Sequence, residues 1–228
     1  MPHTQYPIPP VSSRQGAPAL GRHLAKKQVF PNSCGAASLL CAAKELGVNK
    51  MVAYTGSMSA QIGVDTLELD CRCESDLYKI TSGSTTQRQG QSSLHKAGYS
   101  MPDNIIIAGR LLGLTMRAEK DPGLLSAALA WIYPDMEKRL SEIGCPLEGK
   151  IRPANANEIR IEAMAVSLMG IPVGLHWVVH RYDGSYMDPA TGKNQKDFLE
   201  LNEGAKREVI RLVGYYQTGI SIVATKDS

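Results

Sequence analysis

The sequence predicts an α+β fold, and three stretches predict it. From Cys34 to Glu45 an Ala/Leu-rich run has helical spacing, with Ala36, Leu39, Leu40, Ala43 and Leu46 on one face and Gly47 as its stop. From Ile171 to Arg181 the β-branched and aromatic content is that of a buried strand. Tyr182-Asp183-Gly184 then fits a three-residue hairpin loop with Gly184 in the left-handed position, so a second strand returns alongside the first.

The remaining elements follow in order. Residues 1–27 are rich in Pro, Ser, Gln and Gly, carry no acid, and read as a mobile polar tail ahead of one domain at 28–228. Asn49 to Val64 reads as loop or broken helix. Leu67 to Ile80 is helical in pattern, with Leu67, Cys71, Leu77 and Ile80 inward. The polar run Thr81 to Ser93 reads as a solvated connector. Ser100 is a good N-cap for a helix with Pro102 and Asp103 in its first turn, ending at Gly113, and Leu114 to Glu119 is a short strand. Helices are expected from Asp121 or Pro122 to Trp131 and from Asp135 to Ile143, with a loop from Cys145 to Pro153. Asn155 to Met169 reads as helix closed by Gly170, although Ile159, Ile161 and Ala163 also alternate as a strand would. Lys196 to Glu203 makes a short helix, and Val209 to Val213 and Ile220 to Thr225 two closing strands.

Composition excludes several classes of function. A net charge of +3, with no basic run interleaved with aromatics, gives no footing for nucleic acid. No apolar run approaches the roughly 18 residues of a membrane span. Prolines at 2, 7, 9 and 10 interrupt the start, which lacks the apolar segment of a secretory signal. Five cysteines are an odd number, which argues against a disulfide scaffold and for a reducing site of action. Cys71-Arg72-Cys73 has no second pair at zinc spacing and reads as structural; no metal or cofactor is implied.

The chemistry gathers at Cys34. A cysteine in the first turn of a helix meets unpaired backbone N–H groups and the positive end of the dipole, which favour a thiolate. Ser33, Gly35, Ala36 and Ala37 are small enough for a substrate backbone to come close. Free cysteines are, however, among the most buried residue types, and most only pack. What lifts Cys34 above that background is far downstream: His176 on the predicted strand and Asp188-Pro189 after the hairpin. Pairing through Tyr182-Asp183-Gly184 puts Asp188 across from Val178, so His176 and Asp188 share one face as diagonal neighbours. His180 shares that face and competes with His176. Asp188-Pro189 reads equally well as a strand-ending turn, and Gln28 as a plain polar loop residue.

Taken together, Gln28, six residues ahead of a Cys-Gly that opens a helix, and the late His176-Trp177-Val178-Val179 resemble the papain-like cysteine peptidases. Asp188-Pro189-Ala190-Thr191-Gly192 is similar to the corresponding turn in bacteriocin-processing peptidase domains and in bacterial effector proteases of this fold. The resemblance covers mainly residues 28–47 and 170–200. It implies a helical lobe, led by the Cys34 helix, packed on an antiparallel sheet that carries His176 and Asp188. It further implies Cys34 as nucleophile, His176 as base, Asp188 as the group that orients the imidazole, and Gln28 as oxyanion donor beside the Cys34 N–H. His176 is preferred to His180 because it precedes Trp-Val-Val, as the family's histidine does. The sequence departs from the family in running from Gly170 almost directly into the histidine, so a smaller sheet is expected. The implied function is cleavage of peptide bonds in a protein or peptide substrate, a host protein among them. An acid-poor tail also resembles the export region of an injected effector. Glutamine deamidation or transamidation on the same fold stays open, as does a binding module that has lost the chemistry.

Overall fold

The structure, a computed structural model, describes residues 23–50, 66–83, 94–121, 135–150, 152 and 155–226. Five helices are described: α1 Cys34–Glu45, α2 Cys71–Thr81, α3 Pro102–Leu111, α4 Met136–Glu142 and α5 Phe198–Glu208. The strands are β1 Thr115–Lys120, β2 Leu147–Glu148, β3 Glu158–Leu168, β4 Ile171–Arg181, β5 Tyr186–Asp188, β6 Lys193–Gln195 and β7 Val213–Thr225. They form one sheet in the order β2-β1-β7-β3-β4-β5-β6. Among the described strands only the short β1–β2 pairing is parallel; the others are antiparallel.

The sheet is covered on both faces. On one, Ile159, Ile161, Ala163, Leu175, Trp177 and Val179 join Leu39, Leu40, Leu77, Tyr78, Ile105 and Leu140 from helices α1 to α4 in the main core. On the other, Met164, Val178, Tyr186, Val213 and Tyr215 pack against Leu201 and Ala205 of α5. Each large aliphatic side chain removed from water in this way contributes roughly 1.5–3 kcal/mol. α1 is buried on all sides from Cys34 to Ala43 rather than on a single stripe, because it lies inside the main core.

Several expectations hold. α1 begins at Cys34, and Gly47 turns away with φ +79°. β4 spans Ile171–Arg181, and Gly184 takes φ +84°. Val179 pairs with Met187 and His180 with Tyr186, the register that puts Asp188 opposite Val178. β1 and α4 lie where strand and helix were expected, and α2 begins at Cys71 behind an Asp70 cap whose side chain accepts from the Cys73 N–H at 2.8 Å.

Others are corrected. The stretch read as helix at 155–169 is β3, paired along its length with β4 on one side and β7 on the other. Its turn to β4 is two residues, Met169 and Gly170, both with positive φ (53° and 81°), as a tight hairpin turn of the mirror-image type needs. β3 is the strand whose absence before the histidine suggested a smaller sheet. Ser100 does not cap α3: the cap position is Met101, and Ser100 instead shares a hydroxyl hydrogen bond with Thr81 and accepts from the Trp177 indole. Cys71 is exposed, and Cys73 takes the inward position. The two closing strands are one, β7, which starts only at Val213. Within the segment expected to be loop after Cys145, Leu147–Glu148 pairs with β1. Residues 23–27, read as the end of the tail, are held: Leu24 bonds Glu45 and Arg181, and Lys26 is buried against Glu74. The broken helix at 49–64 beyond Lys50, most of the 81–93 connector and the helix expected at 121–131 lie outside the described residues.

Candidate active site

Cys34 is the first residue of α1 and is buried, 2% exposed. The loop that delivers it, residues 26–33, is shaped by one carboxylate from α2. Glu74, fully buried, accepts from the Val29 N–H at 2.7 Å and the Ser33 hydroxyl at 2.6 Å, and pairs with Lys26 at 2.7 Å. Ser33 Oγ in turn accepts from the Phe30 N–H at 3.1 Å, which closes the turn in front of the helix. Gly35 lets α1 approach the chain at Ser100: a Cβ there would lie 2.5 Å from Ser100 Cβ.

His176 comes from the middle of β4 and Asp188 from the end of β5. Their side chains meet at 2.7 Å, Nε2 to Oδ1, with the carboxylate fully buried and the imidazole nearly so. Asp188 is fixed by the turn that follows it. Oδ1 also accepts from the Ala190 N–H at 2.8 Å, and its main-chain carbonyl accepts from the Gly192 N–H at 2.7 Å. Gly192 closes this turn with φ +72°, and a side chain there would strike the Lys27 backbone. The Gln28 N–H donates to the Pro189 carbonyl at 2.8 Å, so the loop before Cys34 and the turn after Asp188 are stitched together.

With Nε2 engaged by Asp188, Nδ1 is the ring nitrogen left for Cys34. Burial alone would hold the His176 pKa down; the Asp188 hydrogen bond and charge, helped by a hydrogen bond to Cys34 and its charge, override this and push it up to about 10. The arrangement therefore favours an imidazolium between a carboxylate and a sulfur at a helix N-terminus, the environment in which a cysteine becomes a nucleophile.

The other candidates fall out differently. His180 is committed elsewhere: Nδ1 pairs with Glu162 at 3.0 Å and the ring stacks on Tyr186 at 4.2 Å. Gln28 lies beside the site, but both its amide protons are given to main-chain carbonyls, of Phe30 at 2.8 Å and Pro31 at 2.9 Å, while Oε1 is buried without a partner. Cys41, about two turns further along α1, is fully buried, and its thiol is pushed up to about 12, mainly by burial. Burial likewise raises Cys73 and Cys145. Among the described residues no group of three or more His, Cys, Asp or Glu is placed to hold a metal ion.

Two further residues at this site carry no signal in the sequence. Glu74 sits in an amphipathic helix with nothing local to mark it. Tyr215, from β7, stacks on the His176 ring with centroids 5.3 Å apart and planes 25° apart, and its hydroxyl lies 3.5 Å from Asp188 Oδ2.

The family described as invasion plasmid antigen J, cysteine protease, matches residues 26–227. The Shigella flexneri protein named Cysteine protease IpaJ is 49% identical over 208 residues, covering 91% of this chain and 80% of that protein. The chain belongs to the invasion plasmid antigen J family of cysteine proteases, and it is an enzyme that acts on peptide bonds.

Proposed function

We propose that the protein is a papain-like protease in which Cys34, His176 and Asp188 form the catalytic triad. The observation that carries this is His176 itself, held by Asp188 through one ring nitrogen with the other left to Cys34. His176 takes the thiol proton, and the thiolate attacks the carbonyl carbon of the scissile peptide. The N–H of Cys34, unpaired in the first turn of α1, donates to the resulting oxyanion. Gln28 joins it by turning one amide proton away from Phe30 or Pro31 toward the oxyanion. As the intermediate collapses, the imidazolium gives its proton to the leaving nitrogen and the C–N bond breaks, leaving a thioester on Cys34. His176 then takes a proton from water, whose oxygen attacks the thioester, and the proton returns to the departing sulfur. Asp188 holds the ring in the tautomer and orientation both halves need and stabilises its charged form.

The substrate is a protein, and the site of action a reducing compartment such as a host cytosol. The name of the Shigella relative, a cysteine protease, supports the protein substrate, and the free cysteines and the acid-free stretch ahead of Glu45 support the compartment. No helix among the described residues is long and apolar enough to cross a membrane. Incubating wild type and Cys34→Ala with host-cell lysate and reading protein termini by mass spectrometry tests it. New termini that require Cys34 are expected. An uncleaved partner heavier by about one dalton, the amide-to-acid difference of acyl transfer to water, would overturn proteolysis in favour of deamidation.

A further inference from the structure

We infer that Tyr215 is a positioning residue for the reaction: its ring is the platform that holds the His176 imidazole in line between Asp188 and Cys34. The inference rests on the triad assignment above and goes beyond it, since Tyr215 touches neither the scissile bond nor the oxyanion.

Three features of the surroundings point to it. A histidine ring has two torsions to fix, and the Asp188 bond at Nε2 restrains the ring only at one edge. Tyr215 covers a face of it, nearly parallel at 5.3 Å and 25°, the offset-stacked arrangement that aromatic pairs favour. A rotation of the imidazole away from Cys34 would have to break this stack as well as the Asp188 bond. Stacking also favours the charged ring, because the electron-rich face of a phenol attracts a cation. Second, Asp188 is fully buried, with Oδ1 already taken by His176 and Ala190, and the Tyr215 hydroxyl faces Oδ2. At 3.5 Å this contact is long, so the ring, not the hydroxyl, carries most of the effect. Burial and the charges of Asp188 and Cys34 raise the phenol's own pKa, so it remains the proton-bearing partner.

Third, the platform is itself anchored. Asn202 of α5 brackets the Tyr215 main chain, its Oδ1 accepting from the N–H at 2.7 Å and its Nδ2 donating to the carbonyl at 3.2 Å. Tyr215 is 5% exposed and packs with Val178 and Leu201 in the second core. Around His176 the charged and titratable groups are thus Asp188 from β5, Cys34 from α1 and Tyr215 from β7. The cross-strand neighbour on β3 is Met164, and the nearby Glu162 is paired with His180.

The test needs no substrate. Iodoacetamide modification of Cys34 is timed at pH 6 to 8 in a Cys71→Ser background, since Cys71 is exposed. The ring protons of His176 are followed by NMR up to high pH. Tyr215→Leu, which removes the ring, should slow modification about tenfold or more, on the scale of a lost aromatic pair and its cation contact, and should lower the pH at which His176 loses its proton. Tyr215→Phe, which keeps the ring, should slow it only about two- to threefold, as for one weak hydrogen bond. Asn202→Ala, which keeps the ring but frees its backbone, should fall between the two. A folded Tyr215→Leu with the wild-type rate and the wild-type His176 midpoint would overturn the inference, as would a Tyr215→Phe as impaired as Tyr215→Leu. If Tyr215→Leu does not fold, an Asn202→Ala that matches wild type in both measurements overturns it alone. If wild-type Cys34 reacts no faster than the buried cysteines, and His176→Ala changes nothing, the triad assignment itself has failed.

Discussion

Arg181→Met should be among the most damaging single changes outside the proposed triad. Arg181 is the last residue of β4, the strand that carries His176, and Glu45 lies at the end of α1, the helix that begins with Cys34. The two form a bidentate pair at 2.8 and 2.7 Å with side chains only 2% exposed each. Arg181 also donates to the Leu24 carbonyl and to Asn194 Oδ1, and Glu45 accepts from the Leu24 N–H. The pair therefore ties the helix that carries Cys34 to the strand that carries His176. Removing one member strands a buried charge, which typically costs about 3–5 kcal/mol. At roughly 2–4 °C per kcal/mol for a domain of this size, the melting temperature should drop by about 6–20 °C. Replacing both partners with apolar residues, Glu45→Leu with Arg181→Met, removes the stranded charge and should recover at least half of that loss. Equilibrium urea unfolding of the four proteins of the cycle measures it. A single-mutant loss below about 1 kcal/mol, the range of exposed pairs, would refute the clamp, and so would a double mutant that loses the sum of the singles.

Three further outcomes are expected. His176→Ala should abolish turnover and slow Cys34 modification. His180→Ala should leave that modification in place yet destabilise the fold by about 1–3 kcal/mol, because Glu162 loses its partner; modification kinetics and urea unfolding of the two variants separate the roles. Glu74→Ala strips the Val29 N–H, the Ser33 hydroxyl and Lys26 of their shared acceptor, so it should cost about 3–5 kcal/mol and lower kcat through the displaced Cys34 loop. Adding Lys26→Met should restore part of the stability, as unfolding curves will show, but not the loop geometry, read as kcat. Because the folded pKa of His176 is raised from 6.5 to about 10, its charged form stabilises the native state fully below pH 6.5 and less as pH climbs through about 10. The stability gap between wild type and His176→Gln should close across that window, and a gap that widens with pH would contradict the assigned sign.

What could be read from the sequence was what local chemistry dictates. Gly47, Gly113 and Gly184 stop or turn the chain wherever they stand, and each takes a positive φ in the structure. The three-residue loop before Ser185 sets the β4–β5 register by counting alone, and from that register follows the meeting of His176 with Asp188. β3 was not legible because Glu-Ile-Arg-Ile-Glu-Ala-Met-Ala is built from good helix formers. Its strand identity comes from β4 and β7 on either side, and from Glu119 and His180, which pair with Arg160 and Glu162 on its buried face. Ser100 fails as a cap for the same kind of reason: Thr81 and Trp177 outcompete a local role.

Cys34 and His176 stood out in the sequence as candidate nucleophile and base, and Glu74 and Tyr215 beside them did not, because the two sets are constrained differently. Attack on a peptide carbonyl by this route needs a thiol and an imidazole, so few residue types qualify and their order along the chain carries information. The aiming needs only an acceptor of the right reach beneath the Cys34 loop and a flat apolar face against the imidazole. Glu74 meets Ser33 across 41 residues and Tyr215 meets Asp188 across 27, with no spacing rule to mark either. Tyr215 stands in a strand where aromatic residues are common for packing alone, so its pattern is that of core until β7 is laid beside β3. Only then does the ring come to rest on His176, and the same side chain acquires two duties at once. It closes the second core against α5, and its ring stacks on His176, the contact from which its positioning role is inferred.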